Sequence, residues 1–226
     1  HFSDLRTNIL CWYPFSKKDS VLEIGAGCGA ITGMLCEKAG HVTSVELSKR
    51  RSEINFERNK NHDNLTIMVG NLNDMRFDEP FDYVVVNGVL EYAMSFTEGD
   101  TPYETFLQKM GSYLKDSGKL LIAIENKLGF KYFAGAPEDH TDLYFFGIEG
   151  YPDNKSVRTF SKTELSELLE KSGFPYMKYY YPYPDYKFPT EIFTDETLYK
   201  NMYGKEYPVY TENNFAFFSE TAGIKS

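Results

Sequence analysis

The sequence predicts an α/β fold, doubly wound around a parallel sheet. Three observations carry this expectation: five short, strongly apolar runs within the first 125 residues, helix-forming segments between them, and a cluster of glycines closing the first run. Strands that apolar need cover on both faces, which right-handed crossovers through intervening helices provide.

Each element follows from local chemistry. Ser3 or Asp4 can cap a short helix through Trp12, closed by Pro14. VLEIG (21–25) reads as the first strand, and AITGMLCEKA (30–39) as a helix stopped by Gly40. HVTSVEL (41–47) is a second strand, Ser48 caps a polar helix to about Asn59, and LTIMVG (65–70) and YVVVN (83–87) are the third and fourth strands. Thr101 and Glu104 make a capping box with Pro102 at the first helical position, and Tyr103, Phe106, Leu107, Met110 and Leu114 recur at helical spacing up to Gly118. KLLIAIE (119–125) is the fifth strand.

The texture then changes. A Gly- and aromatic-rich stretch to about Val157 is too long for a mere connection and reads as a binding lid. Ser161 and Glu164 cap one more helix, with Leu165, Leu168 and Leu169 inward and Gly173 at its end. YMKYYYPYPDYKF (176–188) and FAFFSE (215–220) read as two final strands with an insertion between them. The expected organisation is one domain over residues 1–226: an N-terminal helix (1–19), a ligand-binding core (20–125), the lid (126–157) and a C-terminal helix with strands (158–226).

Composition narrows the partners. A net charge of −9 and a pI near 5.0 oppose attraction to phosphate backbones or anionic lipid, so nucleic acid is disfavoured. Cys11, Cys28 and Cys36 are odd in number and lack a Cys-x-x-Cys pair, which points away from disulfides and structural zinc and toward a reduced, cytoplasmic setting. No apolar run is long enough to span a membrane, and no leader is expected; a chain beginning at His1 rather than Met is expected to be a piece of something longer.

The first strand ends in Gly25, Gly27 and Gly29, where an open parallel sheet places its ligand. Alternate glycines let a ligand approach the backbone, and the following helix offers its N–H groups. With Ala30 the same letters satisfy a dinucleotide fingerprint, which alone is weak. Glu46 closes the second strand about 20 residues on, where an acid accepts both ribose hydroxyls of an adenosine. Glu23 is the discriminating residue. A dinucleotide strand is normally apolar up to its glycine, and a buried carboxylate needs a partner. A ligand ammonium, or loop N–H groups ordered around one, would be that partner, although bonds to nearby backbone would serve too.

VLEIGAGCG resembles the first motif of class I S-adenosylmethionine (SAM)-dependent methyltransferases, and VTSVELS, NLTIMVGNLND and FDYVVVNGVLEYA resemble the next three in order and spacing over roughly residues 20–125. The resemblance implies a Rossmann-like seven-stranded methyltransferase sheet, mostly parallel with an antiparallel last strand, plus lid insertions. It implies SAM as cofactor and S-adenosylhomocysteine (SAH) as product. Glu23 and the loop Gly25, Ala26, Gly27, Cys28 and Gly29 would hold the methionine part, Glu46 the ribose, Leu47 the adenine face, and Asn71 with Leu72 the adenine edge. Asn71 stands where an acid is common. Asn87, Gly88 and Val89 would line the methyl-transfer site, and Tyr92 replaces a histidine common there, which excludes a histidine base at that position.

ENKLGFKYFAGAPEDH, FFGIEGY, RTFSKTEL and YYPYPDYKFPTEIF resemble bacterial methyltransferases associated with cell-surface polysaccharide or lipopolysaccharide biosynthesis. This implies a small or glycan-linked acceptor and a place within a longer glycan-assembly protein. The motif that marks amino-group methylation of DNA bases is replaced by NGVL, and no cysteine follows Cys36 to attack a cytosine ring. A hydroxyl is therefore the expected acceptor. His140, in PEDH, is the candidate general base for it, and Asp139 would orient the ring or act as the base itself; a solvated acidic turn is the alternative for both. Tyr179–Tyr186 reads as core-packing strand or as a sugar platform. Lys49, Arg50 and Arg51 read as a solvated helix turn, and His41 and His62 receive no role. An NAD-dependent oxidoreductase and a non-catalytic SAM-binding module are the competing classes.

Overall fold

The structure, a computed structural model, describes residues 3–154, 156–197 and the backbone of 216–222. Five strands, β1 (Ser20–Ile24), β2 (His41–Glu46), β3 (Leu65–Val69), β4 (Phe81–Asn87) and β5 (Leu114–Glu125), form the parallel part of the sheet. Helix α1 (Thr32–Lys38) joins β1 to β2, α2 (Lys49–Asn59) joins β2 to β3, a 3₁₀ turn Leu72–Asp74 lies between β3 and β4, and α3 (Ala93–Phe96) and α4 (Pro102–Ser112) lie between β4 and β5. After the short α5 (Phe130–Phe133) and then α6 (Lys162–Lys171) come β6 (Tyr176–Tyr183), β7 (Glu191–Thr194) and β8 (Ala216–Ala222). The strand order is β3-β2-β1-β4-β5-β8-β6-β7, with β8 antiparallel to both β5 and β6.

The sheet thus has eight strands among the described residues rather than the seven expected. The extra one, β7, pairs antiparallel with β6 at the sheet edge, Tyr181 opposite Phe193. It arises inside the segment read as an insertion, where TEIFT carries the β-branched and aromatic residues a strand prefers. The remainder of that insertion, residues 198–215, lies outside the described residues.

Side-chain alternation divides the core into two layers. Leu22, Ile24, Val84, Val86, Leu120 and Ile122 face α4 and α6, where they meet Phe106, Leu107, Met110, Leu165 and Leu169. Val21, Val42, Val85, Leu121 and Ala123 face the other way, against Ile9, Leu10, Tyr13, Met34 and Leu35. This period of two is the burial pattern of a sheet covered on both faces.

Local corrections are few. The N-terminal helix is a 3₁₀ segment, Asp4–Ile9, capped by Ser3, whose Oγ accepts from Leu5 N. Helix α1 begins only at Thr32, because Gly25, Gly27 and Gly29 take left-handed conformations in the turns before it. The capping box holds at Ser161/Glu164 but not at Thr101, whose side chain makes no cap bond, so Pro102 alone opens α4. Ser48 caps α2 as expected.

Candidate functional site

Beyond the carboxyl ends of the parallel strands lies a cleft of about 1000 Å³. It is where an open α/β sheet binds its ligand, and register explains what lines it. Glu23 of β1 stands level with Val85 of β4, and Val85 with Leu121 of β5, so β4 and β5 run on past β1 to Asn87 and Glu125.

At the β1–β2 end the polar groups are held by the chain itself. Glu23, 2% exposed, takes hydrogen bonds on Oε2 from Ser44 Oγ (2.5 Å), its register neighbour on β2, and from Thr32 Oγ1 of α1 (2.6 Å). Burial raises its carboxyl above the usual range against those two bonds. Its partners are therefore hydroxyls of the fold, not the loop N–H groups expected from sequence. Gly25 N and Ala26 N donate to Val45 O, and Gly27 N donates to Glu46 Oε2 at 2.9 Å. These N–H groups are directed at β2, whereas Ala30 and Ile31, the N-cap of α1, line the cleft. What the glycines contribute is shape. Gly25, Gly27 and Gly29 have φ of +66°, +57° and +74°, and a Cβ on Gly27 would meet only open space, nothing nearer than Gly25 O at 4.0 Å. At Gly25 it would collide with the Val89 side chain, at Gly29 with Asn55.

Glu46 Oε1 accepts from Ser48 N (2.9 Å), so its carboxylate is clamped between the glycine loop and the start of α2 with an edge lining the cleft. Leu47 beside it is 67% exposed, an apolar surface without cover in the protein. Asn71 Oδ1 caps the turn Leu72–Asp74 by accepting from Asn73 N, and both Asn71 and the buried Leu72 line the same end. Ala26, Cys28, Asn87, Gly88 and Val89 also line the cleft. Asn87 Oδ1 is buried without a hydrogen-bond partner among the described residues, the mark of a group awaiting a ligand donor. All the residues expected to hold a SAM-like ligand except Gly29, which packs against Asn55, are thus brought to one cavity, and the cavity's shape and its orphaned acceptor fit such a group.

The opposite end is built by Glu91 and Tyr92 after β4, Glu125 at the end of β5, the lid through Asp139 and His140, and Tyr186 and Lys187 after β6. His140 is buried, its Nδ1 2.8 Å from Glu138 Oε1 and its Nε2 3.8 Å from both Glu91 Oε1 and Glu125 Oε2. Its ring packs edge-on against Tyr92, so a histidine does reach this region, from the lid. Burial would lower the imidazolium's pKa, but the bond to Glu138 and the charges of Glu91 and Glu125 outweigh it and raise it to about 10. The ring is therefore protonated at neutral pH, not poised near its ordinary value as a free base would be. Glu138 in turn is held down at about 2: its burial is overcome by bonds from His140 and Thr141. Burial pushes the Glu91 carboxyl up to about 7.

Asp139 does not orient the ring. Its carboxylate is bound by Lys131 Nζ (2.7 and 2.6 Å) and Tyr132 OH (3.0 Å), and it is Glu138, two residues before His140, whose side chain reaches the imidazole. Tyr179, Tyr180 and Tyr181 are core, whereas Tyr186, equally buried, lines the cleft. Lys49 is solvated, paired with Glu53, and His41 sits at the surface beside Thr66. Sequence reasoning missed Glu91, Glu125, Glu138 and Lys187. A signal for one existed: Glu125 closes the apolar run LLIAI as Glu23 interrupts VLEIG. Among the described residues no helix is long and apolar enough to cross a membrane.

Residues 22–120 match the family model of a methyltransferase domain. An uncharacterized methyltransferase of Staphylococcus carnosus is 35% identical over 45% of this chain and 45% of its own length. The malonyl-[acyl-carrier protein] O-methyltransferase of Priestia megaterium is 25% identical over 71% of this chain and 56% of its own. The chain thus spans about half the length of these curated relatives. Further relatives carry names for phosphoethanolamine and ribosomal RNA methylation. A SAM-dependent methyltransferase from Thermotoga maritima shares the fold at 21% identity, with a TM-score of 0.59 over 97% of this chain and 87% of its own. Over residues 22–120 the chain is similar to a methyltransferase domain, and its fold is shared with SAM-dependent methyltransferases, which supports SAM as the cofactor of the cleft.

Proposed function

We propose that the protein transfers the methyl group of SAM to a hydroxyl of a small or glycan-linked acceptor. The observation that carries this is one continuous cleft, one end lined by residues expected to hold SAM and, across Asn87–Val89, a second end furnished with carboxylates and an imidazole. Bound at the first end, SAM supplies a methyl group on a sulfonium, whose carbon–sulfur bond breaks with its electron pair leaving on sulfur as the acceptor oxygen bonds to carbon. The chain's own residues hold the two reactants in line and exclude water, which alone accounts for much of such a reaction's acceleration. Glu23, Glu46 and the glycine loop would position the cofactor, Glu91 and Glu125 would receive the acceptor hydroxyl and the proton it loses, and the His140 ring would face both carboxylates. Lys131 and Tyr132 would hold Asp139 as an anchor of the lid.

Two features support a glycan-linked acceptor in surface polysaccharide biosynthesis. Two of the four segments that resemble the polysaccharide-associated methyltransferases line the acceptor end, through Glu125, Asp139, His140, Tyr186 and Lys187. Tyr92, 42% exposed, adds an aromatic surface on which a sugar ring can stack. The test is transfer of labelled methyl from SAM to a panel of hydroxyl-bearing mono- and oligosaccharides alongside amines. Label on a hydroxyl is the expected result. Label only on amines would overturn the acceptor class, and SAM bound but never consumed would favour a non-catalytic module.

A further inference from the structure

Glu91, Glu125 and His140 come from three separate parts of the chain, yet one ligand atom from each lies within 4.8 Å of the other two. The two glutamates are 1% and 0% exposed, and Glu91 Oε2 and Glu125 Oε2 have no hydrogen-bond partner among the described residues. A buried carboxylate oxygen without a donor is costly, and two of them against one imidazole face are costlier still. Lys187 Nζ, 2.7 Å from Glu125 Oε1, engages only the other oxygen of that group.

The imidazole is set up as ligands to metals are. Its Nδ1 is held by the Glu138 carboxylate at 2.8 Å, which leaves Nε2 directed at Glu91 and Glu125. A carboxylate behind the histidine fixes its tautomer and raises its basicity. Once a metal ion has displaced the ring's Nε2 proton, the glutamates 91, 125 and 138 and Lys187 sum to a formal charge of −2, which a divalent cation cancels. We propose that Glu91, Glu125 and His140 bind a divalent metal ion at the acceptor end of the cleft.

The donor set of two carboxylates and one imidazole suits a hard to borderline ion such as Mn²⁺. Bonds of about 2.1 Å require ligand atoms roughly 3.0 to 3.4 Å apart, so the 3.8 Å separations close by about half an ångström. Three protein ligands leave coordination positions for the acceptor. The role that follows, which rests on the methyl-transfer function proposed above, is to bind the acceptor oxygen and lower its pKa. The hydroxyl proton then passes to the second oxygen of Glu91, and the metal-held oxygen attacks the methyl carbon.

The probe is Mn²⁺ itself, titrated into the metal-stripped protein and read by electron paramagnetic resonance and calorimetry, with SAH binding measured on the same samples. One Mn²⁺ per chain is expected. Glu91→Gln and Glu125→Gln should each weaken binding at least about tenfold, and Glu138→Gln, which changes no ligand, about 10-fold to 100-fold. SAH affinity retained in each variant shows that it is folded. SAH binding with no saturable Mn²⁺ site, or glutamine variants that hold Mn²⁺ like the parent, would overturn the metal site and leave methyl transfer standing. Mn²⁺ binding without SAH binding would uphold the site and overturn the function on which its role rests.

Discussion

At the cofactor end of the cleft both carboxylates are satisfied by donors of the chain, Glu23 by two hydroxyls and Glu46 by two backbone N–H groups. At the acceptor end Glu91 and Glu125 face one imidazole with oxygens to spare. The first end is rigid before any ligand arrives, because its side chains also hold the loop that shapes it. The second stores unfavourable electrostatics that a bound group relieves. Binding and chemistry should therefore separate: changes at one end should move cofactor affinity, changes at the other turnover.

The largest effect is expected from Gly27→Val. A branched side chain would fill the open space above the loop and force φ of +57° on a residue that rarely adopts it, so SAH binding should vanish. Thermal unfolding distinguishes loss of the site from loss of the fold, and a folded variant that binds SAH normally would mean that the loop is not the site. His140→Ala should lower turnover by about 100-fold to 10,000-fold, since it removes the imidazole that faces Glu91, the carboxylate that takes the acceptor's proton, at 3.8 Å. SAH affinity in that variant should change by less than about twofold, as expected of a distant site; an equal loss in both measurements would erase the distinction between the two ends.

Glu46→Ala comes next. It removes two hydrogen bonds to the charged acceptor that would hold the ribose, and should weaken SAH binding by about 2 to 4 kcal/mol. The smallest effect tests a control that does not line the cleft. Glu164 closes the cap of α6 and pairs with Lys127 at 2.7 Å; though burial works against it, those partners hold its carboxyl at about 2. A depressed folded-state pKa gives stability that is fully present above the unfolded value of 4.5 and is lost as pH falls toward about 2. Unfolding measured across that window should show a shallower acid limb in Glu164→Gln, with SAH affinity at neutral pH unchanged.

The unequal legibility of the two ends has a physical origin. Glu23, the glycines and Glu46 are dictated by one strand–turn–helix unit and the strand beside it, so their spacing in sequence is their geometry in space. Glu91, Glu125 and His140 meet only because β4 and β5 are neighbours and the lid folds back over their ends. Nothing local in VLEYA or LLIAIE announces that. Likewise PEDH offers three acidic or basic side chains in a row, and which of Glu138 or Asp139 meets the imidazole was decided by Lys131 and Tyr132 drawing Asp139 away. The parallel strands were readable because apolar runs covered on both faces admit few alternatives. The edge strand β7 was not, since four residues carry too little pattern.

The most direct measurement is calorimetric titration of the purified chain with SAH and, separately, with NAD. Saturable binding of one SAH per chain, weakened in Glu46→Ala and unchanged in His140→Ala, with no heat from NAD, is the expected result. Binding of NAD with indifference to SAH would contradict it, because the cleft would then serve hydride chemistry and the separation of a cofactor end from a methyl-acceptor end would fall with it.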